Sequence, residues 1–280
     1  MTKTVYVPLD GSERAESALR PAAAIASRAA ADLVLVTARW LDVDAARNYL
    51  DAQVARLAKG ARPWLILDRD PADAILLAAS ADDALVCMAT RGRGAAREAV
   101  LGSVAEDVVR SSRTPIALVG PGIRSGWGLG AQPLVYAGLD GSAWSRCAAR
   151  AAGVLATSLG GRVRAVEVLR PSDVTDAGDF PEADVDLLER AVAELSSDGI
   201  PADYALVDAF DAADALVREA ESHGAAFISV ASHGRSGVGR VVLGSVAMRT
   251  VRRAPCPVLV SGPRARVCEA DVAGGTARNV

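Results

Sequence analysis

Ala226-Phe227-Ile228-Ser229-Val230-Ala231-Ser232-His233-Gly234-Arg235-Ser236-Gly237-Val238-Gly239-Arg240-Val241-Val242-Leu243-Gly244-Ser245-Val246-Ala247 is the stretch whose reading decides the fold. Its first five residues are a short apolar run, the pattern of a buried strand. A glycine-rich, arginine-bearing loop follows, and Gly244-Ser245 opens a helical pattern. A strand, a glycine-rich loop and a helix N-terminus in that order make an anion site. Glycine lets backbone amides come close to a ligand, and the helix adds unpaired N–H groups with a partial positive charge. Ser245 is placed either to cap the helix or to donate to a phosphate. Taken alone, the same stretch also reads as a tight turn.

The stretch occurs twice. Residues 89–105 repeat its plan 142 positions earlier, and Val-Leu-Gly-Ser-Val-Ala is identical at 100–105 and 242–247. Working outward, each loop closes a series of alternating strands and helices. In the first half the expected strands are 3–9, 33–38, 63–67, 84–88 and 114–119, with helices at 13–30, 43–59, 71–80 and 103–110 between them. The second half repeats them with strands at 133–139, 162–169, 203–207, 226–230 and 256–260. The strand at 33–38 is continuously apolar, as when helices cover both faces of a sheet. The expected fold is therefore α/β: two tandem, open, five-stranded parallel sheets, Rossmann-like, with strand order 3-2-1-4-5 and right-handed crossovers. The units are read as 1–123 and 133–263, joined by a glycine-rich linker at 124–132 and followed by a polar tail, 264–280, expected to be disordered. The short apolar fifth strands are sheet edges, and such edges are expected to be covered by pairing with each other.

In a sheet of that order the ligand crevice lies between strands one and four, at their carboxyl ends. Strand one ends in Asp10-Gly11-Ser12 in one half and Asp140-Gly141-Ser142 in the other. Strand four ends in the glycine loop. Two unusual segments, far apart in sequence, meet at one crevice in each half. Asp10 and Asp140 read either as helix caps or as carboxylates that accept from ribose hydroxyls.

Composition narrows the chemistry. The net charge is −3, with 15 basic and 15 acidic residues in 1–123 and 16 and 19 in the remainder, so neither half has the basic excess of a nucleic-acid binder. No run of apolar residues reaches membrane-spanning length. Met1 leads directly into a strand pattern, and the four cysteines show no metal or redox spacing. Both features fit a reducing, cytoplasmic location. The loops lack the lysine of a Walker A motif and do not read Gly-x-Gly-x-x-Gly. Phosphates would be held by backbone amides, Ser103 or Ser245, and arginines such as Arg93 and Arg235. There is no paired carboxylate and no nucleophile–base motif, so catalytic residues are not expected. Only His233 falls in a loop, and Arg91 takes its place in the first copy. Across the loops Glu98 stands opposite Arg240, so the second site is expected to favour a triphosphate if that position faces the phosphates.

These residues resemble the universal stress protein family in its tandem two-domain form. The resemblance covers residues 3–119 and 133–261. The family's nucleotide-binding branch carries Gly-x2-Gly-x9-Gly-Ser/Thr after strand four and an aspartate after strand one. Here the motif reads Ala89-x2-Gly92-x9-Gly102-Ser103, continuing into Val104, and Ala231-x2-Gly234-x9-Gly244-Ser245, continuing into Val246. Alanine replaces the first glycine in both. The resemblance implies ATP, with or without Mg2+, as the ligand. Asp10 and Asp140 would face the ribose, the glycines and serines the phosphates, and Ala38 and Val168 the adenine. It also implies units paired through their fifth strands, a homodimer, and a regulatory protein partner that the sequence does not name. Three function classes stand: an ATP-binding stress-response regulator, a nucleotide-free protein–protein interaction module, and a weak ATPase of the same fold group.

Overall fold

The computed structural model describes residues 1–38, 42–57, 60–67, 69–81, 83–92, 101–174, 180–234 and 243–266. The first half contains β1 (Thr4–Pro8), α1 (Glu13–Glu16), α2 (Leu19–Ala29), β2 (Asp32–Ala38), α3 (Val43–Ala55), β3 (Arg62–Ile66), α4 (Pro71–Ala78), β4 (Ala84–Ala89), α5 (Ser103–Ser111) and β5 (Ile116–Val119). The second contains β6 (Leu134–Leu139), α6 (Ala143–Leu159), β7 (Arg162–Leu169), α7 (Glu182–Ser197), β8 (Ala202–Asp208), α8 (Ala212–Ser222), β9 (Phe227–Ala231), α9 (Ser245–Arg253) and β10 (Val258–Ser261).

Each half is a parallel sheet in the order 3-2-1-4-5, as expected. The two are fused into one ten-stranded sheet, β3-β2-β1-β4-β5-β10-β9-β6-β7-β8. The join is antiparallel, with Leu118 opposite Val258 and Ile116 opposite Val260. Every residue of β4 and β5 is buried, which is why these strands carry no polar alternation. Side chains alternate between faces, as strand geometry requires. Leu33 and Leu35 enter the main core with Leu19 and Ile25, while Val34 and Val36 pack with Ala78 of α4. No described helix is long and apolar enough to cross a membrane.

The halves depart from the expected plan at three places. The helix expected at 13–30 breaks into α1 and α2, whereas its counterpart α6 is continuous. Pro21 explains the difference: its ring excludes the carbonyl of Ser17 four residues back and donates no N–H to it. The second half has Ala151 there. The stretch at 124–132, read as a linker, is fastened to the second half. Trp127 is 2 % exposed, donates Nε1–H to the Ala226 carbonyl at 2.9 Å and stands edge-on to Phe227. Finally, residues 264–266 of the expected tail are ordered. Ala265 is fully buried against Cys147, and Arg266 N–H donates to the Arg113 carbonyl at 2.9 Å. Residues 267–280 lie outside the described residues.

Cys87 and Cys256 are free and buried, and burial pushes both thiols up to about 12. Their role is packing. Cys147 is disulfide-bonded, so the absence of redox spacing in the sequence did not exclude a disulfide, and cysteine usage does not establish a reducing compartment.

Candidate functional site

The crevice of the first half is built by two turns. After β1 the chain turns at Asp10-Gly11-Ser12. Ser12 N–H and Oγ–H donate to Asp10 Oδ1 at 3.0 and 2.6 Å, and Ser12 Oγ in turn accepts from Ala15 N–H at 3.2 Å. Ser12, not Asp10, is therefore the cap of α1, and the aspartate holds the cap in place. Its other oxygen, Oδ2, is turned to Gly92, so closely that a Cβ on that glycine would collide with it. The second half repeats these contacts at the same lengths: Ser142 donates to Asp140 Oδ1 at 3.0 and 2.6 Å. A Cβ on Gly234 would stand 2.5 Å from Asp140 Oδ2.

The glycine loops return to their own roots. Gly102 N–H donates to the Thr90 carbonyl at 2.8 Å, and Gly244 N–H to the Ser232 carbonyl at 2.7 Å. These glycines are the N-cap residues of α5 and α9, and neither helix has a side-chain cap. The reading of Ser245 as the cap is thereby corrected: Ser103 and Ser245 are the first helical residues. Uncapped first-turn amides face outward, the arrangement that receives an anion. Gly102 and Gly244 have φ of −82° and −62°, which any residue adopts. The tight glycines are Gly92 and Gly234.

Around the first pair of turns lies a cavity of about 630 Å3. Asp10, Ala38, Ala89, Gly92, Gly102, Ser103 and Val104 all line it, so the structure brings together every candidate of that half except Arg93, which lies outside the described residues. The apolar side chains of Val36, Ile75 and Met88 line it as well. The sequence reading missed those three, together with Asp42 and Thr37. Asp42 accepts from the Asp44 and Ala45 amides and so carries an ordinary cap signal. Thr37 is buried and donates Oγ1–H to the Leu9 carbonyl at 2.7 Å. Arg91 also lines the cavity.

In the second half Asp140 and Gly234 meet as their counterparts do, and Gly244, Ser245 and Val246 open α9. Ala231 ends β9 and Val168 lies near the end of β7. Arg235, Arg240 and, in the first half, Glu98 lie outside the described residues, and with them the expected charge difference between the loops. Several matched positions differ within the described residues, three of them most in size or charge. Arg91 is matched by His233, whose Nδ1 lies 2.9 Å from Ser232 Oγ and whose ring lies 6.2 Å from that of Trp144. Thr37 is matched by Glu167, 1 % exposed. Pro8 is matched by Gly138, where an added Cβ would stand 3.1 Å from Leu216 Cδ2. No group of three His, Cys, Asp or Glu among the described residues could hold a metal ion.

An open, doubly wound α/β sheet whose first and fourth strands meet at the switch point of each half defines a Rossmann-like class of fold. The comparisons narrow it. The model of the universal stress protein family matches residues 1–120 and again 135–261. The chain belongs to that family, in tandem form. A universal stress protein from Thermus aquaticus, encoded in the QAH/OAS sulfhydrylase 3′ region, is 32 % identical over 126 residues, which is 43 % of this chain and 92 % of that protein. Among solved structures, a universal stress protein from Archaeoglobus fulgidus superposes with a TM-score of 0.66 at 20 % identity, covering 93 % of this chain and 98 % of that one. A functionally unknown protein from Pseudomonas aeruginosa superposes with a TM-score of 0.61 at 14 % identity, covering 98 % of each.

Proposed function

We propose that the chain binds an adenine nucleotide, ATP in the first instance, at the crevice of each half and serves as a regulatory stress-response factor rather than an enzyme. The observation that carries this reading is the first cavity. Its lining includes the apolar Val36, Ile75 and Met88, against which a base could lie. The Asp10 carboxylate, which lies against Gly92, also lines it, where a ribose hydroxyl could donate to it. Gly102, Ser103 and Val104, at the uncapped start of α5, line it too and would hold the phosphate chain. Charge-assisted hydrogen bonds contribute roughly 1.5–3 kcal/mol each. Three or four with a buried base reach about −8 kcal/mol, a micromolar affinity. A Mg2+ ion would travel with the phosphates. The two units, 1–123 and 133–263, each carry one crevice. A cytoplasmic location, a homodimer and a protein partner complete the proposal.

The test is calorimetric titration of ATP into the purified protein, with the released nucleotide of freshly isolated protein identified after acid precipitation. Saturable micromolar binding without turnover supports the reading. No binding of any adenine nucleotide leaves the loops as turns and favours the interaction module. Turnover that depends on the crevice residues favours the ATPase.

A further inference from the structure

We infer that Cys147 and Cys268 form a redox-reversible clasp that fastens the arm following β10 across the join of the two halves. The chain has four cysteines. Cys87 and Cys256 are free and Cys147 is disulfide-bonded, which leaves Cys268 as its partner. Cys268 itself lies outside the described residues, but the described chain brings it within reach. Ala265 is buried against Cys147, and Trp144 packs on that pair. Cys268 follows three residues later, and three residues span at most about 11 Å. Bonded cysteines need Cα atoms roughly 4.4–6.8 Å apart, so the reach suffices.

The arms that leave β5 and β10 are copies of each other at the 142-residue offset. Gly120 lies against the Val251 carbonyl and Gly262 against the Val109 carbonyl. Arg124 N–H donates to the Pro255 carbonyl at 3.0 Å, and Arg266 N–H to the Arg113 carbonyl at 2.9 Å. Each arm therefore crosses from its own half to the other. Beyond that point the copies differ. The first arm is held by Trp127, which stands edge-on to Phe227 and bonds the Ala226 carbonyl, a fastening that no redox change undoes. The position matching Trp127 is Glu269, which supplies no apolar anchor. One residue earlier Gly126 is matched by Cys268, and on the helices Ser17 is matched by Cys147. The two cysteines thus stand in the second half alone, where the arm lacks its tryptophan.

Both directions are thiol chemistry with named co-reactants. A hydroperoxide converts the Cys268 thiol to a sulfenic acid and leaves as the alcohol, or as water from hydrogen peroxide. The Cys147 thiolate attacks that sulfur, the S–O bond breaks, and the departing hydroxide takes up the proton the Cys147 thiol released. A dithiol reverses the closure. One of its thiolates attacks the Cys268 sulfur, Cys147 leaves as a thiolate and is protonated, and the second thiol closes the reagent's own disulfide and frees Cys268. Cys147 is fully buried, so attack from outside falls on Cys268. Cys87 and Cys256, whose thiols burial holds up at about 12, stay inert. In the reducing cytoplasm of the proposed location the clasp stands open until an oxidant closes it. That direction rests on the proposed location; the pairing and its reversal depend neither on it nor on nucleotide binding.

The test uses the full-length protein, treated with hydrogen peroxide or with dithiothreitol and then freed of reagent. Thiol titration after denaturation should find two of the four thiols in the oxidised protein and all four in the reduced one. A peptide map without reduction should join the Cys147 peptide to the Cys268 peptide within one chain. Limited trypsin cleavage after Arg264 and Arg266, read by mass after quenching and reduction, should be about tenfold slower in the oxidised protein. Cys268→Ser, which touches no buried position of the described chain, should be cleaved at the reduced rate in both states. Four thiols after oxidation, or pairing with Cys87, Cys256 or a second chain, overturns the proposal. So does an oxidised protein cleaved as fast as the reduced one, or a redox response that survives in Cys268→Ser.

Discussion

Asp10 Oδ2 lies so close over Gly92 that no side chain fits between strand one's turn and strand four's loop. The same relationship links Asp140 to Gly234. In each half two segments about eighty residues or more apart in sequence are thus held in one crevice by a contact that only glycine permits. Gly92→Ala must displace the carboxylate or the loop. It should weaken ATP in the first half by at least about tenfold and leave the second half unchanged, read as a loss of one binding stoichiometry. Gly244→Ala is the contrast. Its Cβ would meet the Ser232 carbonyl at 3.5 Å, an ordinary contact at an ordinary φ, and binding should persist. Equal affinities in Gly92→Ala and wild type would remove Asp10 from the site.

The two halves are locked by a reciprocal pair of backbone contacts. A Cβ on Gly120 would collide with the Val251 carbonyl, and one on Gly262 with the Val109 carbonyl. These residues are related by the same 142-residue offset as the loops, so the contacts are one contact repeated about a pseudo-two-fold axis. A carbonyl fixed in a helix cannot swing aside as a side chain can. Gly120→Ala and Gly262→Ala should each cost about 1–3 kcal/mol, measured as a lowered urea midpoint. Gly126→Ala, with open space around the added methyl, should change stability by less than about 0.5 kcal/mol. Two loops of equal tolerance at Gly120 and Gly126 would mean the halves do not pack this closely.

The strand order and the meeting of Asp10 with the glycine loop were legible because both follow from local signals and topology. Continuous apolar runs name parallel strands, and the switch point then brings strands one and four together. The break between α1 and α2 was legible in principle from Pro21 but was masked by the alanine spacing around it. Trp127 was hidden for a different reason: its neighbours are glycines, and only tertiary contact with Phe227 shows that the segment is part of the core. The apolar wall of the crevice was also invisible as a site. Val36, Ile75 and Met88 are core-type residues in core-type elements, and their second role depends on the cavity beside them.

Ala30 ends α2 with φ of 52°, and it alone among the described non-glycine residues has positive φ. Its counterpart at the end of α6 is Gly160, at φ 61°. The left-handed region brings an L-residue's Cβ against its own carbonyl, and glycine avoids that clash. Ala30→Gly should therefore stabilise the protein by about 0.5–1 kcal/mol, part of the relief being offset by the greater entropy of glycine in the unfolded chain. Gly160→Ala should destabilise by a similar amount. Thermal or urea denaturation of the two variants reads both signs, and a destabilised Ala30→Gly would refute the argument.

Arg164 grips Asp203 with two hydrogen bonds of 2.7 Å, from Nε to Oδ1 and from Nη2 to Oδ2. This bond, more than any other influence, holds the Asp203 carboxyl below its ordinary pKa; Arg162 adds to it. A carboxyl whose folded pKa is depressed binds protons less readily folded than unfolded. Its contribution is fully present above the unfolded pKa and is lost as the pH falls through the ordinary carboxylate range to the folded value. Asp203→Asn should therefore be less stable than wild type at neutral pH, by under about 1 kcal/mol because the carboxylate is 43 % exposed. The gap should close as the pH is lowered through about 4. Urea midpoints of both proteins across that range make the comparison. A gap that stays constant would show that Asp203 acts through shape alone, and its ionised pairing with Arg164 would then contribute nothing to folding.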